Sequence, residues 1–139
     1  MKKKILFVCT HNSARSQLAE GLVNSICSNK YQAFSAGSTP TEVNPLAIET
    51  LTEIGIDITS HYSKSMIEFE GQYFDYVITV CNNAKDTCPF FPAAKDYIHK
   101  SFEDPSSVEG NSEEKLNAFR KTRDEIKQWL LEFFCDSNV

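Results

Sequence analysis

The sequence predicts a single α/β domain, a four-stranded parallel sheet with helices on both faces. Short, wholly apolar runs recur along the chain and are followed by polar loops, while the segments between them carry apolar residues at helical spacing. Strands that are apolar throughout are buried on both faces, and strands alternating with helices imply a parallel arrangement. A chain of 139 residues is the size of one ordinary domain with its own core.

Residues 3–8 read as the first buried strand. A polar loop follows, and a helix begins near Ser16 with Leu18, Ala19, Leu22, Val23 and Ile26 on one face. Residues 31–36 form a second strand closed by Gly37. Asn44 followed by Pro45 starts a second helix, because proline suits the first helical position. Ile48, Leu51 and Ile54 form its expected apolar face, and Gly55 its stop. Residues 74–80 are a third apolar strand ending at Cys81, and 97–102 a weaker fourth ending at Glu103-Asp104-Pro105. Asn111 with Glu114 three residues on is a helix-start signature. It opens a last helix whose expected buried stripe is Leu116, Phe119, Ile126, Leu130 and Phe133.

Fourteen basic against nineteen acidic residues give a net charge of −5, which argues against nucleic-acid binding. No run of about 18 apolar residues offers a membrane span. The apolar stretch after Lys2-Lys3-Lys4 is only four residues long, Ile5 to Val8, before Cys9. That is shorter than the roughly 7–15 residues of a secretion signal, so the chain is expected to be cytoplasmic; a monomer is also expected. Five cysteines in such a chain point to catalysis, redox chemistry or metal binding before structural disulfides.

In open parallel sheets ligands bind beyond the carboxyl ends of the strands, and Cys9, Cys81 and Asp104 all fall just past a strand. Between the first strand and helix lies a Cys-x5-Arg segment, Cys9 to Arg15. Consecutive amides in a tight loop converge on an anion, and the helix N-terminus adds positive potential. The Arg15 fork binds two oxygens, and the same field favours negative charge on the Cys9 sulfur. Ser13 and Ser16 can bond that sulfur or cap the helix, and Asn12 suits a left-handed backbone position. Thr10, His11, Asn12, Ser13, Ala14, Arg15 and Ser16 are therefore the expected oxyanion-binding segment. A bare Cys-x5-Arg is equally a buried cysteine and a surface arginine; the strand before it and the helix after it favour a site.

Val8-Cys9-Thr10-His11-Asn12-Ser13-Ala14-Arg15-Ser16-Gln17 resembles the phosphate loop of the low-molecular-weight tyrosine phosphatase superfamily. More narrowly, it is similar to the thioredoxin-coupled arsenate reductase branch. The resemblance runs through Ser35-Ala36-Gly37 to Asp104-Pro105 and the last helix, and implies flavodoxin-like strand order. It implies arsenate as substrate, Cys9 as nucleophile, Arg15 as clamp, Asp104 as acid and thioredoxin or a similar dithiol as reductant. No cofactor is implied. Residues alone leave Cys81 and Cys88 open between an exchange pair and two half-buried loop thiols; the resemblance implies a relay from Cys9 to Cys81 to Cys88. No zinc spacing is present. Family members that bind potassium do so at positions matched by Asn12, Glu20 and Ser35. Ser63-Lys64-Ser65 places a lysine where an acid would stand, so potassium dependence is not expected.

Two rivals remain. A low-molecular-weight protein tyrosine phosphatase would use Cys9, Arg15 and Asp104 alike, but such enzymes carry aromatics after the Asp-Pro, where Ser106-Ser107 stand here. They also usually read Arg-Ser-Pro where this chain has Arg15-Ser16-Gln17. A non-catalytic oxyanion sensor would keep the loop without turnover. Cys27 is expected in the core or half-buried and Cys135 as a free thiol, and His61 and His99 as loop or surface histidines.

Overall fold

The computed structural model describes residues 2–81 and 94–135. Its order is β1 (Lys3–Cys9), α1 (Arg15–Ile26), β2 (Tyr31–Gly37), α2 (Pro45–Thr52), a 3-10 turn at Met66–Phe69, β3 (Phe74–Thr79), β4 (Ala94–His99), a second 3-10 turn at Pro105–Ser107, and α3 (Ser112–Phe133). The four strands form one parallel sheet in the order β2-β1-β3-β4. No described helix is long and apolar enough to cross a membrane.

The sheet centre follows from sequence. Ile5, Leu6, Phe7 and Val8 are all fully buried because β1 has neighbours on both edges and side chains packed on both faces. Ile5, Phe7 and Cys9 share one cluster with Leu18 and Leu22 of α1, Leu51 of α2, and Phe119, Ile126 and Leu130 of α3. The alternate residues Leu6 and Val8 share the other cluster with Ala36, Phe74 and Val77. Among the described residues, that side is closed by Phe69 and Met66 of the first 3-10 turn.

Three expectations shift. The fourth strand is Ala94–His99, three residues earlier than its apolar signal. It is an edge strand with exposed Lys95, Asp96 and Tyr97, while buried Phe102 lies in the loop beyond it. In α2 the buried residues are Ala47, Thr50 and Leu51; the helix ends before Ile54, which is 37% exposed. In α3 the reciprocal Asn111–Glu114 cap forms as expected. Phe119, Ile126 and Leu130 are buried, but Phe133 is 66% exposed and Phe134, just past the helix, turns inward. Phe134 packs edge-on against Tyr31, Tyr76 and Trp129.

One further correction concerns the cysteines. Cys27 is buried as expected, but Cys135 is no free thiol: the two form a disulfide with Cα atoms 5.2 Å apart. Neither residue alone predicts it, because 108 positions separate them.

Candidate active site

The loop between β1 and α1 is held from behind. Its carbonyls turn outward onto donors: Thr10 O accepts from Thr39 N at 2.8 Å, His11 O from Thr41 N at 3.2 Å, and Ser13 O from Asn44 N at 3.0 Å. The Ser63 hydroxyl donates to both His11 O and Asn12 O. Asn12 stands at φ 51, the left-handed position its residue type tolerates. Its side-chain oxygen accepts from Lys64 N at 2.8 Å and Gln17 Nε2 at 2.9 Å.

The same amide reaches the Cys9 sulfur through Ser16. Asn12 Nδ2 donates to Ser16 Oγ at 2.8 Å, and Ser16 Oγ lies 2.9 Å from Cys9 Sγ. Because Ser16 accepts from Asn12, its own hydroxyl hydrogen is available to a Cys9 thiolate. Gly37 makes the arrangement possible from the β2 side. A Cβ there would sit 2.6 Å from Thr10 O and 2.9 Å from Asn12 N, both backbone atoms that cannot yield cheaply.

A cavity of about 230 Å³ opens in front of this loop, lined by Cys9, His11, Ser13, Ala14, Arg15, Thr41, Asn44, Asp104 and Ser106. Ala14 caps α1 without a side-chain hydrogen bond, so the helix start faces the cavity directly. Arg15 is 4% exposed; its Nη1 donates to Phe102 O at 3.1 Å, and Nη2 lies 3.8 Å from Asp104 Oδ2. That anchor swings the guanidinium over the loop and ties it to the segment carrying Asp104. Asp104 also caps the Pro105–Ser107 turn, accepting from Ser106 N at 2.9 Å and Ser106 Oγ at 2.7 Å.

The predicted residues therefore fall in three places. Cys9, His11, Ser13, Ala14, Arg15 and Asp104 line the cavity; Thr10, Asn12 and Ser16 brace it. Cys81 does not line it. It is fully buried one residue beyond Val80, whose amide bonds Val8 O, and its Sγ lies 3.8 Å from that same carbonyl. Cys9 ends β1 and Cys81 lies two residues past the end of β3, the strand paired with it. Cys88 lies outside the described residues.

Sequence reasoning missed Thr41, Asn44 and Ser106 in the lining, and gave His61, a loop residue as expected, no partners. His61 is half-buried, with Nδ1 3.0 Å from Gln17 Oε1 and Nε2 3.8 Å from Glu20 Oε2. Gln17 uses its amide nitrogen on Asn12 and Tyr62 O, so its oxygen is the acceptor for His61 Nδ1–H. Burial holds the His61 imidazole below its ordinary value of 6.5, opposed by Glu20, aided by Lys64 and opposed again by Asp57. No motif signals this; it depends on a chain crossing 44 positions away.

Of the expected potassium positions, Ser35 and Glu20 do meet, the Ser35 hydroxyl donating to Glu20 Oε1. The set does not suit a potassium ion. Lys64, 8% exposed, puts its ammonium 3.8 Å from Glu20 Oε1 and donates to Tyr62 O at 2.9 Å. The carboxylate already faces a cation. Among the described residues no group of three or more His, Cys, Asp or Glu side chains could hold a metal.

A cysteine, an arginine and an aspartate thus line one cavity beside a helix start on a parallel sheet, an arrangement suited to a phosphatase-type oxyanion site. The chain belongs to the low molecular weight phosphotyrosine protein phosphatase family, which it matches over residues 4–138. Within that family it is similar to an arsenate reductase of Halalkalibacterium halodurans, 42% identical over 132 residues and 95% of each chain. It is also similar to a solved arsenate reductase in the phosphate-binding state, with a TM-score of 0.78, 30% identity and 95% of each chain covered. A third likeness is to a thioredoxin-dependent arsenate reductase of Corynebacterium glutamicum, with a TM-score of 0.64 and 27% identity. That match covers 94% of this chain and 61% of the other.

Proposed function

We propose that the chain reduces arsenate to arsenite with Cys9 as nucleophile, passes the oxidation to Cys81 and Cys88, and is returned to its dithiol state by thioredoxin. The observation that carries this reading is the second thiol. Cys81 is buried two residues beyond β3, its sulfur 3.8 Å from the carbonyl of Val8, the residue before Cys9, where hydrolysis of a phosphate ester has no use for it. The relatives named arsenate reductase support the same substrate.

In this mechanism the Cys9 thiolate, held by Ser16, attacks arsenic within the loop amides and Arg15. Asp104 gives a proton to the departing oxygen, which leaves as water. The Cys81 thiolate then attacks Cys9 Sγ. The sulfur–arsenic bond breaks, its electron pair stays on arsenic, and arsenite departs from a Cys9–Cys81 disulfide. Cys88 attacks Cys81 and frees Cys9; a thioredoxin dithiol reduces the Cys81–Cys88 bond. Two electrons leave the thiols and two reach arsenic. A thioredoxin-fed cycle suits the cytoplasm.

The test is NADPH consumption with thioredoxin, thioredoxin reductase and arsenate. Turnover in the unaltered protein, lost in Cys9→Ser, Cys81→Ser and Cys88→Ser, is the expected result. Aryl-phosphate hydrolysis needing Cys9 alone, with no arsenate turnover, would make it a phosphatase. Among the described residues that line the cavity, none is Phe, Tyr or Trp. We also assign to the Lys64 ammonium the charge beside Glu20 that a bound cation would otherwise supply. Equal turnover in potassium and tetramethylammonium buffers is then expected, and stimulation by potassium counts against the assignment.

A further inference from the structure

Two of the five cysteines have no part in that cycle. Cys27 ends α1, and its carbonyl accepts from Lys30 N and Tyr31 N, so it sits where β2 begins. Cys135 follows α3, its amide donating to Leu130 O at 2.7 Å. Beside it Phe134 packs on Tyr31, the first residue of β2, and on Tyr76 near the start of β3. The pair therefore lies at the amino edge of the sheet. Cys9 is in register with Gly37, six residues along β2 from Tyr31, which at strand rise is about 20 Å away. Cys9 therefore cannot exchange with this disulfide in the folded chain, because exchange needs sulfur on sulfur.

We propose that Cys27 and Cys135 are a second dithiol–disulfide couple, separate from the oxyanion site, whose disulfide form staples the end of α3 to the corner between α1 and β2. Both sulfurs are buried, at 1% and 5% residue exposure, so oxidant and reductant reach them when the last turn of α3 opens. A peroxide is the class of oxidant. One thiol becomes a sulfenic acid with release of water, and the second thiol displaces the hydroxyl as a further water, closing the bond. The two electrons pass to the peroxide. A soluble dithiol reverses the step through a mixed disulfide. Closing a loop over a sequence separation of 108 removes much freedom from the unfolded chain, so the oxidised form is the more heat-stable.

The test reads a crosslink and a melting temperature, so its failure is distinguishable from failure of the arsenate reading. The full chain carrying Cys9→Ser, Cys81→Ser and Cys88→Ser is treated with hydrogen peroxide, alkylated under denaturing conditions and mapped by mass spectrometry. A Cys27–Cys135 linked peptide is expected, with a Tm at least about 5 °C above the dithiol-reduced sample. Adding Cys135→Ser removes both. Mapping the unaltered protein after peroxide gives the same crosslink should the multiple variant fold poorly. In the otherwise unaltered chain, Cys135→Ser retains arsenate-dependent turnover. Surviving thiols after peroxide, a linked peptide without a Tm difference, or loss of turnover in a folded Cys135→Ser would each overturn the proposal.

Discussion

At the scale of single residues, the site works through groups that do two things at once. Ser16 accepts from Asn12 and faces the Cys9 sulfur, so it converts a loop brace into stabilisation of a thiolate. A hydrogen bond to a charged group is worth about 1.5–3 kcal/mol. Ser16→Ala is therefore expected to slow alkylation of Cys9 by iodoacetamide, and arsenate turnover, by about 10–100-fold. An unchanged alkylation rate would detach Ser16 from the nucleophile. His61 gives a second residue-scale prediction with a definite sign. Its imidazole is held below 6.5 chiefly by burial, so the unfolded chain binds the proton more readily than the folded one. Stability is full above 6.5 and falls as the pH drops through the lowered folded value. Urea unfolding between pH 7 and 5 should show this slope, and His61→Asn should flatten it.

At the scale of elements, the loop depends on β2 as much as on α1. Gly37 is the β2 residue against which the loop backbone lies, and it is also bonded through its amide to Lys64 O. Any side chain there pushes on Thr10 O and Asn12 N. Gly37→Ala is expected to lower unfolding free energy by about 1–3 kcal/mol and to weaken phosphate binding in calorimetry. Wild-type phosphate affinity in this variant would show that the loop tolerates displacement. Gly21 plays a similar part between helices, where a Cβ would meet Leu51 and Ile58 at 2.8 Å. The Arg123 guanidinium, bonded to Thr50 O and Glu53, then ties α3 to α2.

At the scale of the whole molecule, one buried layer connects the site to the rest. Cys9 belongs to the same cluster as Leu18, Leu51, Phe119 and Leu130, so the loop rests on the core formed by all three helices. Filling the cavity should therefore stabilise the entire fold. Phosphate at 100 times its dissociation constant is expected to add about 2.7 kcal/mol and to raise Tm, and Arg15→Leu should abolish the effect. A Tm indifferent to phosphate in the unaltered chain would mean the cradle does not take a tetrahedral oxyanion.

What the sequence determined by itself was the central sheet and the loop. Their signals are local: a continuous apolar run in residues 3–8, an Asn at the left-handed position, a Pro at N1 of α2, and the reciprocal cap of α3. Edge and periphery were poorly legible. The register of β4 and the inward turn of Phe134 depend on which face a neighbour covers, and hydrophobicity alone does not encode that. Thr41, Asn44 and Ser106 entered the cavity, and His61 and Lys64 the brace, only because distant segments meet at the carboxyl edge of the sheet. The Cys27–Cys135 pair is the extreme case. Sulfur pairing requires two Cα atoms within a few ångströms, a distance set by the packing of α3 on α1 and not by any spacing in the chain.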